Sequence, residues 1–236
     1  DITERKRIGQ MKSDFVSLVS HQLKTPVAEI NGYIYNLLAG IAGELTSKQR
    51  EYLDEMQQIS GRNYRLISDL LNVSRLERGV ISMDIRPVAV RDVLEAALVD
   101  YYDRIRRQNL SLTIDGMDQE LFVNVDKDKT VEAVNNIINN ALKFTSQGGI
   151  SIRLAVKGNA VCITISDTGA GIPAQKMAKL FTKEQMLEGA PVAGGGAGLG
   201  LYIAKQFLVL QKGAISVRSE EGKGTVFEIL LPLADQ

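Results

Sequence analysis

The chain has 236 residues, enough for one large domain or two ordinary ones, and its 44% hydrophobic and 24% charged content is that of a globular fold. Lys plus Arg and Asp plus Glu both number 28, which argues against a nucleic-acid surface or a polybasic membrane anchor. One cysteine, Cys162, and one histidine, His21, disfavour an internal disulfide, a zinc site or a Cys–His catalytic pair, and a reducing, cytoplasmic setting fits.

No apolar run approaches the roughly 18 residues that cross a bilayer, so this segment is expected to make no direct membrane contact. The opening "DITERKR" is no signal peptide. Anchoring of a longer protein through a missing N-terminal region stays open.

Over the first 80 or so residues apolar side chains recur at three and four: Ile8, Met11, Phe15 and Leu18, then Leu53 and Met56, then Ile67 and Leu70. The spacing predicts an antiparallel helical hairpin over residues 4–38 and 46–77. "AGIAGELTS" is its turn, Thr46 or Ser47 the cap of the second helix, and Arg78-Gly79 its end. Two helices cannot bury stripes this wide. Pairing of two copies into a four-helix bundle would, as would folding of the hairpin onto the rest of the chain.

After Pro87 the period changes. "VRDVLEAALVDYYDRIRRQN" reads as one helix, and "LSLTI" and "LFVNV" as strands around a turn. "DKTVEAVNNIINNALKFT" is a helix, and "GISIRLAV" and "AVCITIS" alternate about the turn "KGN". The helix "LGLYIAKQFLVLQ" then precedes a hairpin, "AISVRSE" and "TVFEILL", joined by "EGKG". The fold class is α+β: a helical hairpin, then a mixed sheet with helices on one face.

Three stretches could carry chemistry. "GGGAGLGLYIAK" opens a helix with small residues, which lets backbone N–H groups approach phosphate at the positive end of a helix dipole. It lacks the Gly-Lys-Ser/Thr of a Walker loop and the dinucleotide spacing, and a flexible loop would look much the same. "SDTGAGIP" places Asp167 where a strand leaves into a glycine turn. There a half-buried carboxylate can accept from a ligand N–H, satisfy its own turn, or act as the Asp-Thr-Gly of a dimeric aspartic protease. In "NNIINNALKFT", Asn136, Asn140 and Lys143 fall at i, i+4 and i+7 on one helical face. Asparagine is a poor helix former, so a ligand role for oxygen on Mg²⁺ competes with a plain polar face.

The three stretches in this order, roughly 25–30 residues apart, together with "SHQLKTP" around His21, resemble the sensor histidine kinases of two-component systems. The resemblance implies an end of a signalling helix or linker over residues 1–10, leading from an upstream PAS-like sensor domain. It further implies a dimerisation and histidine phosphoacceptor domain over 11–79 and an ATP-binding α/β sandwich of the Bergerat type over 84–236. A homodimer, ATP, Mg²⁺ and the receiver domain of a response regulator are the implied partners.

By the same resemblance Asp167 reads the adenine amine, Gly169 and Gly171 shape its pocket and Thr225 supports it. Asn140 holds Mg²⁺; Asn136 and Lys143 contact phosphates or the metal shell, and Phe144 packs near the nucleotide. Gly196, Gly198, Leu199 and Gly200 belong to the loop that wraps the phosphates. Residues 174–197 look like a mobile lid anchored by Leu180 and Phe181. His21 is the phosphoacceptor, and Thr25, four residues on, occupies the place that positions water when the regulator is dephosphorylated.

Helical geometry agrees with that role. His21 lies about 100° from the centre of the Met11–Phe15–Leu18 stripe, on its flank. With an unperturbed pKa of ~6.5, much of the imidazole is the neutral nucleophile at cellular pH. Pro26 removes the bond to the Gln22 carbonyl one turn away.

Two departures stand out. The family most often has Glu or Asp directly after the histidine, whereas Gln22 cannot accept a proton; loss of a general base typically costs around 10²–10⁴ in rate. After Leu180-Phe181 the family usually has a second Phe and an Arg; here Glu184 takes the aromatic place, and Ala197 stands where Thr is common. These departures motivate a rival reading, a signalling scaffold that binds nucleotide but acts mostly as a phosphatase with weak kinase activity, or not catalytically.

Overall fold

The computed structural model of the protein describes residues 2–183 and 198–234, except the side chains of residues 2–15, 17 and 21. The described residues form two compact units that divide in sequence between Ile81 and Ser82.

The first unit is the expected hairpin, α1 (Ile2–Leu38) and α2 (Ser47–Arg78). The start of α2 is set by a reciprocal cap. The Gln49 N–H donates to Thr46 Oγ1 (3.3 Å) while the Thr46 N–H donates to Gln49 Oε1 (2.9 Å), which satisfies two donors the helix leaves open. Its end is set by Gly79, left-handed at φ 64°, whose N–H returns to the last-turn carbonyls. The first helix runs through Pro26, so the Gln22 carbonyl has no i+4 donor.

The seam of the hairpin buries Ile34 and Leu71 beside the small residues Ser20, Ser60 and Ser74. Leu18, Leu23, Ile30, Met56 and Ile59 remain about half exposed or more on this chain. The side chains of Ile8, Met11 and Phe15, named in the sequence pattern, lie outside the described ones.

In the second unit β1 (Arg86–Ala89) precedes α3 (Val90–Leu98), α4 (Tyr102–Arg107), β2 (Ser111–Asp115) and β3 (Phe122–Val125). Then come α5 (Lys127–Phe144), the strands β4 (Gly149–Lys157) and β5 (Ala160–Asp167), the short α6 (Ala174–Met177) and α7 (Gly200–Leu210). The hairpin of β6 (Ala214–Glu220) and β7 (Gly224–Pro232) closes the fold. Five strands pair in the order β2-β4-β5-β7-β6, antiparallel except for β2 with β4, and β1 pairs with β3 alone.

Two sequence expectations are corrected. The strands "LSLTI" and "LFVNV" do not pair with each other. β2 lies parallel to β4, from Ser111 beside Gly149 to Asp115 beside Arg153, and β3 turns away to β1. Gly149 permits the approach, since a Cβ there would sit 1.9 Å from Ser111 Oγ. The long helix after Pro87 is two helices. The chain breaks at residues 99–101, where Tyr101 turns inward and its hydroxyl donates to the Asn135 carbonyl of α5 (3.2 Å).

The core lies between the sheet and helices on one face. Val93, Leu94 and Ala97 of α3, Val134, Ile137 and Ile138 of α5, and Ala204 and Leu208 of α7 close over Ile152, Ile163, Ile165, Ile229 and Leu231. A buried polar cluster ties the start of α5 to the end of α7. Asp126 caps α5 by accepting from the Lys129 N–H (3.0 Å) and accepts from the Asp84 N–H (2.9 Å), while its own N–H donates to Gln211 Oε1 (2.9 Å). These two helices flank the candidate site, so the cluster fixes its frame.

Replacing Thr46 with Ala removes one half of the cap and should destabilise the hairpin by about 1 kcal/mol. The check is the urea midpoint of helical unfolding; Thr46→Ser should retain it, and an unchanged midpoint in Thr46→Ala contradicts the assignment.

Candidate functional site

β5 ends at Asp167, and among the described residues the carboxylate is held by two backbone N–H groups. The Gly169 N–H donates to Asp167 Oδ1 (2.8 Å), and the N–H of Thr225, its cross-strand neighbour on β7, also donates to the carboxylate. Burial pushes the Asp167 carboxyl above its ordinary range, and the two N–H groups offset part of that by favouring the ionised form. An acid half out of water, with acceptor capacity left over, is suited to a ligand that brings N–H groups.

Glycines make the loop after Asp167 possible. A Cβ on Gly169 would fall 2.4 Å from the Phe144 carbonyl oxygen, and the next N–H, of Ala170, donates to that same carbonyl (3.1 Å). Gly171 is left-handed at φ 67°, and a Cβ there would meet the Glu220 carbonyl at 2.1 Å. The loop is therefore clamped between the end of α5 and the β6–β7 turn. Beside Asp167 opens a depression of about 340 Å³, lined by Ser219, Glu220, Lys223, Gly224 and Thr225 among others.

The helix α5 ends at the Asp167 loop, where the Phe144 carbonyl meets Ala170, and its four asparagines divide between two sides. Asn135 accepts Tyr101 through its carbonyl and Asn139 Oδ1 accepts from Arg104 (3.3 Å), so this pair faces α4 and the chain before it. Asn136 faces the start of α7, where a Cβ on Gly200 would lie 2.7 Å from Asn136 Oδ1. Asn140 is half-buried one turn from both Asn136 and Phe144, and thus between the α7 start and the Asp167 loop. Phe144 is exposed at the helix end, with Lys143 Nζ 5.0 Å from its ring centre.

Leu199 is buried immediately before Gly200, and Gly198 is left-handed at φ 73°. Gly196, Ala197, Glu184 and the greater part of the expected lid lie outside the described residues. Of that segment's two anchors, Leu180 is buried and Phe181 packs against the core with Lys205 Nζ 5.5 Å above its ring.

In the first unit His21 lies within α1, its side chain outside those described, and Gln22 and Thr25 are exposed. Thr25 borders a groove of about 480 Å³ with Lys24, Ala28, Glu29 and Tyr64, where Lys24 Nζ stands 4.9 Å from the Tyr64 ring centre.

Sequence reasoning passed over Ser219. Its hydroxyl accepts from the Ile172 N–H (2.8 Å), donates to the Gly224 carbonyl (2.8 Å) and contacts Thr225 Oγ1 (3.0 Å). A lone serine at a strand end carries no signal; only the pairing of β6 with β7 brings it to the pocket.

Residues 11–79 match the His Kinase A (phospho-acceptor) domain, and residues 125–235 match the Histidine kinase-, DNA gyrase B-, and HSP90-like ATPase domain. Among full-length relatives, the sensor histidine kinase WalK of Bacillus subtilis is 30% identical over all of this chain and 39% of its own length. The sensor protein SrrB of Staphylococcus aureus is 32% identical over 98% of this chain and 40% of its own. The circadian input-output histidine kinase CikA of Synechococcus elongatus is 32% identical over 94% of this chain and 30% of its own.

Among solved structures, full-length ShkA in complex with AMPPNP superposes with a TM-score of 0.74 at 25% identity, over 94% of this chain and 46% of that one. The histidine kinase AdeS of Acinetobacter baumannii shares the fold, with a TM-score of 0.61 at 21% identity over 91% of this chain and 98% of that one.

The chain belongs to the sensor histidine kinases of two-component systems and comprises their catalytic region, phosphoacceptor domain followed by ATPase domain. It spans 30–40% of the length of the relatives named here. The aspartic protease reading of Asp167-Thr168-Gly169 is overturned, because that triplet falls inside the ATPase domain.

The raised Asp167 carboxyl has a consequence for stability. A carboxyl whose folded pKa exceeds its unfolded one binds protons more tightly when folded, so ionisation at neutral pH costs stability, and the cost fades as pH falls through the folded value. Asp167→Asn should therefore melt at or above the wild type at pH 7, and the difference should shrink with acidification into the carboxylate range. A variant that melts lower at pH 7 and recovers on acidification would contradict the burial argument.

Proposed function

We propose that the chain uses ATP to phosphorylate His21 and passes the phosphoryl group to an aspartate of a response-regulator receiver domain. The observation that carries this reading is the succession of both matched domains on one chain, with Asp167 half-buried at the edge of a depression between β5 and the β6–β7 hairpin, and Asn136 of α5 against the start of α7. The adenine amine donates to Asp167, Gly169 and Gly171 let the base approach the backbone, and Thr225 accepts at the pocket floor. The phosphates lie toward Gly196, Gly198, Leu199 and Gly200, where N–H groups at the start of α7 point outward. Asn136, Lys143 and Phe144 of α5 contact the nucleotide.

Mg²⁺ fits this donor set. No group of three His, Cys, Asp or Glu side chains capable of holding a metal occurs among the described residues. Mg²⁺ commonly keeps several waters and takes one or two protein oxygens plus substrate phosphates, and the Asn140 amide oxygen would supply one of them. When bound, it neutralises charge on the phosphates.

The transfer itself is a displacement. A neutral imidazole nitrogen of His21 attacks the γ-phosphorus, the bond to the β–γ bridging oxygen breaks, and ADP leaves. The nitrogen–phosphorus bond is then exchanged for an oxygen–phosphorus bond on the receiver carboxylate. Gln22 can orient the imidazole by a hydrogen bond but takes no proton, so the first step is slow. Thr25, four residues after His21, would orient water when the regulator loses its phosphate.

The hairpin is proposed to pair with a second copy. Leu18, Leu23, Ile30, Met56 and Ile59, half exposed or more on one chain, would enter the four-helix core. Residues 1–10 would connect to an upstream PAS-like sensor domain, and 11–79 and 84–236 would act as phosphoacceptor and catalytic domains. A cytoplasmic location suits the partners; no helix among the described residues is long and apolar enough to cross a membrane.

Incubation with γ-labelled ATP and Mg²⁺ should give acid-labile, alkali-stable label that disappears in His21→Gln. Label that survives in His21→Gln excludes His21 as acceptor. Gln22→Glu restores a base and should raise the initial labelling rate at least tenfold; a rate that is unchanged or lower shows that Gln22 does not limit the reaction.

A further inference from the structure

The hydroxyl of Ser219 has one proton and three neighbours. It lies 2.8 Å from the Gly224 carbonyl oxygen, 2.8 Å from the Ile172 nitrogen and 3.0 Å from Thr225 Oγ1. A carbonyl can only accept and an N–H can only donate. The proton of Ser219 therefore goes to Gly224, and its lone pairs receive Ile172 and the remaining neighbour. Were Ser219 instead to donate to Thr225, two oxygen lone pairs would face each other at 2.8 Å across the contact with Gly224.

The consequence falls on Thr225. Its side chain is almost fully buried, and its one hydroxyl proton is committed to Ser219, so it has only lone pairs left for the pocket. Next to it the Asp167 carboxylate already accepts from two backbone N–H groups and is likewise an acceptor. The polar floor formed by Asp167 and Thr225 thus offers acceptors and no side-chain donor.

We propose that Ser219 is a positioning residue for nucleobase specificity: by taking the Thr225 proton, it makes Thr225 an acceptor and biases the pocket toward a purine with a 6-amino group over one with a 6-carbonyl. This rests on the reading of the cleft as an ATP site. A base edge bearing N–H, directly or through a water that donates to Thr225, meets two acceptors. A base edge bearing a carbonyl meets lone pairs at Asp167 and Thr225. Without Ser219, the Thr225 hydroxyl is free to rotate and donate, and the second kind of base is no longer penalised at that position.

The test compares ATP with inosine triphosphate, which keeps the purine and the triphosphate but carries a carbonyl and a ring N–H in place of the amine. Both are titrated as competitors of a fluorescent ATP analogue on the whole chain. The wild type should favour ATP. In Ser219→Ala the ratio of the two affinities should fall about fivefold, the worth of one hydrogen bond, while Ser219→Thr, which keeps the hydroxyl, should restore it.

Thr225→Val should lower the ratio by itself, and Ser219→Ala added to it should change the ratio no further. Should Ser219→Ala fail to fold, the ratio in Thr225→Val decides alone. If both affinities drop by one common factor in Ser219→Ala, the residue merely supports the loop at Ile172 and the proposal is overturned. If the wild type binds neither nucleotide, the ATP reading itself falls; if it favours ATP and the ratio in Ser219→Ala is intact, only the role of Ser219 does.

Discussion

A carboxylate kept half out of water by two backbone N–H groups is the constraint around which the second unit is arranged. Asp167 could relieve its burial by turning to solvent, and the close approach of the chain on either side prevents this. Gly169 lies against the Phe144 carbonyl, Gly171 against that of Glu220, and on the opposite strand a Cβ at Gly224 would come within 2.0 Å of the Asp167 carbonyl oxygen. Each approach excludes a larger residue, and together they pin the loop between α5 and the β6–β7 turn. Backbone positions the acid, so no other side-chain charge has to neutralise it and its acceptor capacity stays available to a ligand.

The helix α5 separates structure from function along its own surface. Ala133, Val134, Ile137 and Ile138 enter the core, Asn135 and Asn139 attach the helix to Tyr101 and Arg104, and Asn136 and Asn140 are left toward α7. Four poor helix formers in six residues are tolerated because the cap at Asp126 and the packed apolar face stabilise the rest. The polar cluster of Asp126 with Gln211 ties the start of α5 to the end of α7, which fixes how the two helices lie against each other.

Local patterns in the sequence were enough for the hairpin. Thr46 with Gln49 three residues on is a cap, and Arg78-Gly79 a stop, and both act over one helical turn. The placement of Asp167 at a strand end before a glycine turn was equally legible, because alternation and turn chemistry are local. What failed was non-local. β2 pairs with β4, Ser111 beside Gly149, rather than with β3 across a short turn; the missing side chain of Gly149 permits that approach, and β3 pairs with β1 instead. The break at residues 99–101 follows from Tyr101 reaching across to α5, which no helical periodicity encodes. Ser219 was invisible for the same reason: its role exists only once β6 and β7 are in register.

In the hairpin, the one histidine of the chain is followed by an exposed Gln22 and by Pro26, which leaves the Gln22 carbonyl without its helical donor. Calorimetric titration of the chain with Mg·ATP tests the reading of the cleft as an ATP site most directly: saturable binding at one site per chain is expected, lost when Asp167 is replaced by Asn. Absence of any binding, or binding that is undiminished in the Asp167→Asn variant, would contradict it.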